Sequence, residues 1–436
     1  MAEYLDSIDW ASLQHAYGEA SDVPDDLRDL VSPEKETRDD AYYRLYGNIF
    51  HQATRYEATA YAVPYLLKIL ENPSTPDRAT VISYLVDLAL GIPSLSLPEG
   101  ANPAEYRERT RRLHTPEYEV EYYAEMDELV NQARNEGQRK MHEYDRSVGL
   151  KRNREESKHE LAAYDAVSAG VPVFQQCLEE DDPEVRTWAA FALAWFPGEE
   201  ASGRNYSSAV ALQRLLGQEQ ESIVLASAII ALGLLIGCWK DAGATDGFDN
   251  CVPSLREYAT DQRPLVRFAA AVALIRLQHH IPENVSILAR VLTDRSFIPA
   301  ADARYSHNLP FPFCEGDLFK YSGKILITLD MDDYPDVLPM ALEALPRSEK
   351  TEALELTRIV MELAFGPCPD DDDTWPFASL NEIQQHIVTV LAEMADEYWE
   401  WGTLGEILEE WNIPGESRDE CRQYVGLKAG TGNDEC

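Results

Sequence analysis

Two His-Glu dipeptides are the residues of this sequence whose types and spacing could bind a metal ion. His142-Glu143 and His159-Glu160 are the only such pairs in the chain, and imidazole and carboxylate groups are common ligands of transition metals. Both pairs lie in or at the edge of a charge-rich stretch, where such dipeptides also arise by chance. We therefore expect no metal site in this protein.

A run of four carboxylates, Asp370–Asp373, suggests calcium as a second possibility. An EF-hand loop requires Gly at its sixth position and Glu at its twelfth, and counting from Asp370 these positions hold Trp375 and Asn381. The motif is therefore absent. The run is expected to form a solvated acidic loop between Pro369 and Pro376, or else a docking point for a basic partner.

The sequence carries no local signature of an enzyme: no glycine-rich phosphate loop, no G-x-S-x-G and no recognisable Ser-His-Asp arrangement. Its seven cysteines include no C-x-x-C pair, which fits free thiols in a reducing compartment. The first residues, Met1–Asp6, lack the basic and apolar regions of a secretory signal. We expect a cytoplasmic, non-enzymatic protein with no catalytic, metal-binding or cofactor-binding residue.

Charge narrows the range of partners. The chain of 436 residues contains 77 acidic and 38 basic side chains, a net charge of −39. This charge repels the phosphates of nucleic acids and the anionic face of a membrane, which leaves a basic protein as the expected partner of a monomeric chain. The longest uncharged stretch, Ile223–Trp239, is shorter than the roughly 20 residues of a membrane span and predicts a buried helix.

A repeat of about 40 residues, within the range of helical-pair repeats, organises the chain. Segment 182–193 recurs as segment 263–274, and related copies begin near residues 38, 78 and 224. Arginine occupies one equivalent position in four of the five copies: Arg38, Arg78, Arg186 and Arg267. We expect these side chains to bind carbonyls or carboxylates of adjacent repeats, while alanines spaced i, i+3 let neighbouring helices approach closely.

The second helix of a repeat is indicated by a Val-Pro pair, at Val63-Pro64, Val171-Pro172 and Val252-Pro253. Proline in the first turn of a helix leaves no hydrogen bond unmade, because its missing N–H would be unpaired there. Helical periodicity continues over residues 317–329, 350–365, 380–394 and 404–411. The sequence therefore predicts an all-α fold without a β-sheet.

The pattern P-x-V-R-x-x-A-A-x-A-L, at 183–193 and 264–274, resembles the HEAT repeat, including the variety named after phycobilisome lyases, over at least residues 36–297. The opening Asp9-Trp10 and segment 15–24 also resemble a group of uncharacterised microbial HEAT-repeat proteins. The resemblance implies a right-handed, armadillo-like α-solenoid of helix pairs with one helical insertion. It carries over no activity, because a shared architecture does not define a function.

Three groups of HEAT-repeat enzymes serve as comparisons. Deoxyhypusine hydroxylases bind a di-iron centre through paired His-Glu dipeptides on repeat helices, whereas the two pairs here lie at the insertion. Alkylpurine DNA glycosylases hold DNA in a basic groove, whereas this solenoid is acidic. Bilin lyases need a chromophore pocket, which nothing in the sequence indicates.

Five segments are expected along the chain: N-terminal repeats over 1–98, a charged helical insertion over 99–160, central repeats over 161–297, an irregular loop over 298–315, and C-terminal helical repeats with a cap over 316–436. Residues 101–160 hold 14 acidic and 12 basic side chains. We expect this segment to project from the solenoid and to be dispensable for folding, either as a surface elaboration or as a basic arm over an acidic groove. Trp399, Trp401 and Trp411 are expected to cap the last repeat.

The function that these features favour is a protein–protein interaction scaffold or adaptor with an acidic surface for a basic partner. The alternatives are an immunity-type inhibitor of a basic toxin or nuclease and, third, a HEAT-repeat enzyme or bilin-lyase-like protein. The residues nominated for partner binding are Glu179, Glu180, Asp181, Glu257, Asp370, Asp371, Asp372 and Asp373.

Overall fold

A computed structural model of the protein describes residues 2–198, 206–243, 251–294, 296–298, 311–369, 374–400 and 402–428. The described residues form an all-α fold, which confirms the predicted class; the handedness of the solenoid stays a prediction. The chain divides into two compact units, Met1–Ser254 and Leu255–Cys436.

The helices of the first unit alternate with short loops. They are α1 (Ala2–Asp6), α2 (Val23–Asp29), α3 (Lys35–Asn48), α4 (Glu57–Leu70), α5 (Arg78–Leu90), α6 (Pro103–Leu113), α7 (Pro116–Gln132), α8 (Glu136–Ser168), α9 (Val171–Cys177), α10 (Pro183–Leu193), α11 (Tyr206–Leu216) and α12 (Ser222–Asp241), with α13 (Cys251–Tyr258) at the division between units. Short 3-10 helices cover Trp10–Ser12, His51–Ala53 and Pro93–Ser96.

The described residues contain one short two-stranded sheet, so the prediction of a fold without any β-sheet is wrong at this one hairpin. Strands β1 (Gln14–His15) and β2 (Gly18–Glu19) pair antiparallel. Gly18 has a φ of 121°, a conformation open to glycine, and the His15 ring accepts a hydrogen bond from the Tyr17 amide at 2.9 Å. Strands of two residues are too short to produce the alternation that predicts a strand from sequence.

Helices of successive repeats pack on one another in the first unit: α5 on α10, α10 on α12, and α8 on both α4 and α5. Helix α12 is the buried helix that the uncharged stretch predicted. It is long and apolar enough to cross a membrane, but most of its residues are buried inside the protein. Its composition is therefore explained by its place in the core.

The repeated arginines bind carbonyl and carboxylate oxygens, as their recurrence in the sequence predicted. Nη1 of Arg186 donates to the carbonyl oxygens of Glu180 and Asp181, at 2.8 and 2.9 Å, and its Nε donates to Glu219 at 2.7 Å. Arg38 repeats this geometry, with bonds to the carbonyls five and six residues before it and to Asp77 at 2.7 Å. Each arginine thus fastens the turn before its own helix to a carboxylate of a later repeat.

The other two arginines follow with variations. Arg267 donates to the carbonyls of Asp261 and Gln262. Arg78 donates to the carbonyl of Leu70 at 3.1 Å and to the carboxylate of Glu180 at 2.9 Å. The expected structural role of the repeated arginines is therefore confirmed.

The Val-Pro pair marks the start of one repeat helix but not of another. Helix α9 has Pro172 in its first turn, but Pro64 lies in the middle of α4. Helix α4 begins earlier because Tyr56 and Thr59 form a capping box, in which Thr59 Oγ1 accepts a hydrogen bond from the Tyr56 amide at 2.8 Å. Burial of the α4 face offsets the one backbone hydrogen bond that Pro64 removes.

The insertion does not end at residue 160, because α8 continues without a break to Ser168. Ser157 and Tyr164 of α8 are buried; the Ser157 hydroxyl lies 2.6 Å from the Thr110 hydroxyl of α6, and the Tyr164 hydroxyl donates to the carbonyl of Trp195 at 2.9 Å. Just after α8, a Cβ added at Gly170 would overlap Leu67 of α4. The end of the insertion is joined to the repeats by the ion pair of Glu160 with Arg55, which argues against the expectation that residues 101–160 are dispensable as a whole; a deletion variant tests that expectation.

The second unit contains α14 (Pro264–Arg276), α15 (Pro282–Thr293), α16 (Leu318–Leu326), α17 (Val337–Ala344), α18 (Lys350–Phe365), α19 (Glu382–Glu393), α20 (Asp396–Trp399), α21 (Thr403–Glu410) and α22 (Arg418–Tyr424), with 3-10 helices at Phe313–Gly316, Met331–Asp333, Leu345–Arg347 and Phe377–Ser379. The four stretches predicted from periodicity correspond to α16, α18, α19 and α21. Trp411 is buried and donates to the carbonyl of Gly366 at 2.8 Å, whereas Trp401 lies outside the described residues.

Candidate functional site

The nominated acidic residues belong to different parts of the chain. Glu179, Glu180 and Asp181 occupy the turn between α9 and α10 in the first unit, and Glu257 belongs to α13 in the second. Asp370–Asp373 lie outside the described residues. Glu180 binds the buried Arg78, so packing between repeats explains its presence without a partner.

About half of the net charge of −39 lies in the last quarter of the chain, within the second unit. Residues 330–436 contain 26 acidic and 6 basic side chains. Four of these basic side chains are already paired with carboxylates of the same unit: Arg347 with Glu343, Lys350 with Glu400, Arg358 with Glu410, and Arg418 with Asp396. The remaining carboxylates greatly outnumber the cations that could neutralise them.

An apolar groove of about 640 Å³ lies in this acidic region. Its walls come from α17, the C-terminal half of α18, and α19. Leu338 and Leu342 stand four residues apart on α17, and Ile383 and Val390 stand seven apart on α19, spacings that place each pair on one helix face. Ile383 is 54% exposed and lies on the groove side of α19.

Carboxylates border the groove. Asp332 lies in the 3-10 helix before α17, Glu343 near the end of α17, and Glu382 at the start of α19, and all three are exposed. No Lys or Arg lines the groove within the described part of the unit. No sequence pattern indicates this site, because the two helices that form it are about 40 residues apart and α18 lies between them.

A polar depression of about 520 Å³ adjoins the groove, since Glu343 lines both. It is formed by the end of α15, by α17 and by the start of α18. Asp294, Glu349 and Glu352 contribute carboxylates, and Arg347 contributes the one guanidinium among the described lining residues. Arg347 pairs with Glu343 at 3.0 Å, so the depression keeps an excess of negative charge.

The first unit holds a different cavity, of about 320 Å³, between the segment before α4, the end of α5, α6 and α8. Arg55 lines it and is 8% exposed, and burial lowers the pKa of its guanidinium while Glu160 opposes the shift. Arg55 and Arg109 both pair with Glu160. Both guanidinium charges are therefore shared with one carboxylate, and the contacts hold the insertion onto the repeats.

Basic residues of the insertion also pair with carboxylates of the insertion itself. Arg146 binds Asp127 at 2.6 Å and Arg154 binds Glu119 at 2.9 Å, each joining α7 to α8. Helix α7 packs mainly against α8. These contacts give no support to the interpretation of the insertion as a basic arm over an acidic groove.

The His-Glu dipeptides also have structural partners. Glu143 pairs with Arg139 at 3.1 Å, and Glu160 with the two arginines of the cavity. Burial, with Lys158 beside it, lowers the pKa of His159. Among the described residues no group of three or more His, Cys, Asp or Glu side chains could hold a metal ion, and the six described cysteines form no disulfide.

Comparisons with known proteins assign no family. No family model matches the chain. No curated protein matches it. Among solved structures, an engineered protein is similar over 94% of this chain and 100% of its own length, at 17% identity and a TM-score of 0.28. A similarity at this level supports no conclusion about fold or function.

Proposed function

We propose that this chain is a non-enzymatic scaffold or adaptor of HEAT-like repeats that binds a basic protein through its acidic surface. The observation that carries the proposal is the excess of carboxylates in residues 330–436, where four of the six basic side chains are already paired internally. Opposite charge accelerates encounter with a basic partner and disfavours acidic competitors.

Other features agree with this proposal. In the first unit, ion pairs of the repeated arginines join successive pairs of helices, and proteins built from stacked helical repeats commonly bind other proteins. Glu179, Asp181 and Glu257 are exposed and remain candidates for partner contacts, whereas Glu180 serves the packing of Arg78.

The test separates a local acidic surface from overall charge. A labelled Lys-rich peptide is titrated with the protein at about 0.05 and 0.3 M salt, because exposed charges are screened beyond about 10 Å at 0.1 M. Two double variants change net charge equally: Glu397→Lys with Glu406→Lys in the second unit, and Glu117→Lys with Glu125→Lys in the insertion. All four residues are exposed.

We expect affinity to fall at the higher salt, and to fall more for the second-unit variant than for the insertion variant. Affinity independent of salt, or tighter binding of a single-stranded oligonucleotide than of the peptide, would overturn the proposal. Equal losses in both variants would show that overall charge, and not this surface, attracts the peptide.

A further inference from the structure

We propose that the apolar groove between α17, α18 and α19 binds one amphipathic, basic helix of the partner protein. This inference rests on the proposed function and specifies the form that the partner takes. It joins the two properties of the site, an apolar floor and a carboxylate border, which a purely charged ligand would not use together.

The floor fits the apolar face of a helix. The groove has a volume of about 640 Å³ and is lined mainly by apolar side chains. The apolar faces of α17 and α19 line its sides, and a third helix laid between them would pack its i, i+3/i+4 and i+7 side chains against both. Ile383, half-exposed as it stands, would then be covered.

The border selects the charge of that helix. Asp332, Glu343 and Glu382 are exposed around the groove, and no Lys or Arg lines it within the described residues. Glu343 also pairs with Arg347 at 3.0 Å, so Asp332 and Glu382 are the main contributors to the negative border. Lysines or arginines flanking the apolar face of the ligand would meet these carboxylates. The adjoining depression, with Asp294 and Glu349, offers a place for one further cationic side chain beyond Glu343.

Charge also excludes the other occupants. A second copy of this chain brings another −39, so self-association through the groove opposes two acidic surfaces. Nucleic acids and anionic membranes carry the same sign of charge as the border. A basic helix is the occupant that satisfies both the floor and the border.

The experiment uses a synthetic helix as the probe. A labelled peptide of about 20 residues, built from Leu and Lys with leucines at i, i+3/i+4 and i+7, is compared with a peptide of identical composition whose leucines are scattered around the helix. Fluorescence anisotropy measures binding to the full chain at about 0.15 M salt, where long-range attraction between exposed charges is largely screened.

Two variants with the same change in charge provide the contrast. Ile383→Lys places a cation at the groove, and Val210→Lys places one on α11 of the first unit; the two native side chains are 54% and 57% exposed. We expect the amphipathic peptide to bind Ile383→Lys at least about tenfold more weakly than the wild type and to bind Val210→Lys with unchanged affinity. Circular dichroism verifies that both variants are folded.

The outcomes distinguish this inference from the proposal that it rests on. If both peptides bind equally and Ile383→Lys has no effect, the groove is not the site, while salt-dependent binding of a basic ligand still stands. If neither peptide binds, both proposals are wrong. If sedimentation shows dimers that Ile383→Lys dissolves, a second copy occupies the groove and the inference is overturned.

Discussion

Arg186 and Glu219 form an ion pair of 2.7 Å that joins the start of α10 to the loop before α12. The two side chains are only 14% and 6% exposed, and the same guanidinium also donates to the carbonyls of Glu180 and Asp181. One arginine thus satisfies a buried carboxylate and the end of a turn at once. The contact links two successive repeats of the first unit.

Removing this arginine should be costly. We expect Arg186→Met to lower the free energy of unfolding by about 3 kcal/mol or more, because it leaves Glu219 buried without its cation. Arg214→Met is the control, since Arg214 pairs with Glu179 at 2.8 Å while both side chains are more than 60% exposed, and such surface pairs contribute about 0–1 kcal/mol. Urea denaturation measures both; similar losses would contradict the structural role of Arg186.

The same pair predicts a dependence on pH. Burial alone would raise the pKa of Glu219, but the hydrogen bonds from Arg186 and from the amides of Gln220 and Glu221 outweigh it and hold the pKa below its ordinary value of 4.5. A carboxyl with a lowered pKa stabilises the fold fully above its unfolded pKa, and this stabilisation is lost as pH falls through the folded pKa.

We therefore expect Glu219→Gln to be less stable than the wild type at pH 7 and to show a shallower loss of stability below about pH 4.5. Chemical denaturation at a series of pH values measures the slope. Glu179→Gln, at the exposed pair, should run parallel to the wild type. A Glu219→Gln profile parallel to the wild type would show that Glu219 does not couple folding to protonation.

Two glycines of the second unit face each other backbone to backbone. A Cβ added at Gly405 in α21 would overlap the carbonyl oxygen of Gly415, and a Cβ at Gly415 would overlap that of Gly405. We expect Gly405→Ala to destabilise the protein by about 1–3 kcal/mol, the usual cost of an overpacked contact. Gly47→Ala in α3 is the control, since no described atom lies within 4 Å of its added Cβ; its melting temperature should be unchanged or raised.

We expect that the outer part of the insertion can be removed and that the whole insertion cannot. Residues 125–143 cover the exposed ends of α7 and α8, while Tyr122 still binds the Asp145 carbonyl at 2.7 Å below the cut. We expect a short Gly/Ser linker in place of 125–143 to preserve cooperative melting. Replacement of 101–160 should lower the melting temperature or prevent folding, because it removes Ser157 and Glu160. If the two deletion variants were equally stable, residues 101–160 would be dispensable for folding as a whole.

The positions of helices in the repeats could be predicted because the same residue pattern recurs along the chain. The Pro-x-Val-Arg spacing located α10 and α14 and gave the role of their arginines, since the same contact recurs wherever the same residues do. The start of α4 and the end of the insertion could not be predicted in this way. Tyr56 is an uncommon N-cap residue, and α8 buries residues as small and polar as Ser157, which carry little hydrophobic signal.

The amino-acid composition predicted that the candidate site would be acidic, but no sequence pattern predicted where it lies. Composition indicated an acidic surface, but Leu342 and Ile383 are 41 residues apart, and only the packing of α17, α18 and α19 brings them to one groove. The most obvious acidic residues in the sequence were less informative. Glu180 serves an internal arginine, and the four consecutive aspartates lie outside the described residues.

Helix α8 has a mechanical consequence. Its 33 residues, at 1.5 Å each, extend for about 50 Å as one continuous rod. One end is fastened among the repeats, where Glu160 pairs with Arg55, and the other end reaches the tip of the hairpin with α7. A continuous helix holds its two ends at a fixed distance, whereas a flexible linker only limits the largest distance between them. Any molecule attached at the tip would be held at a defined spacing from the repeats of the first unit.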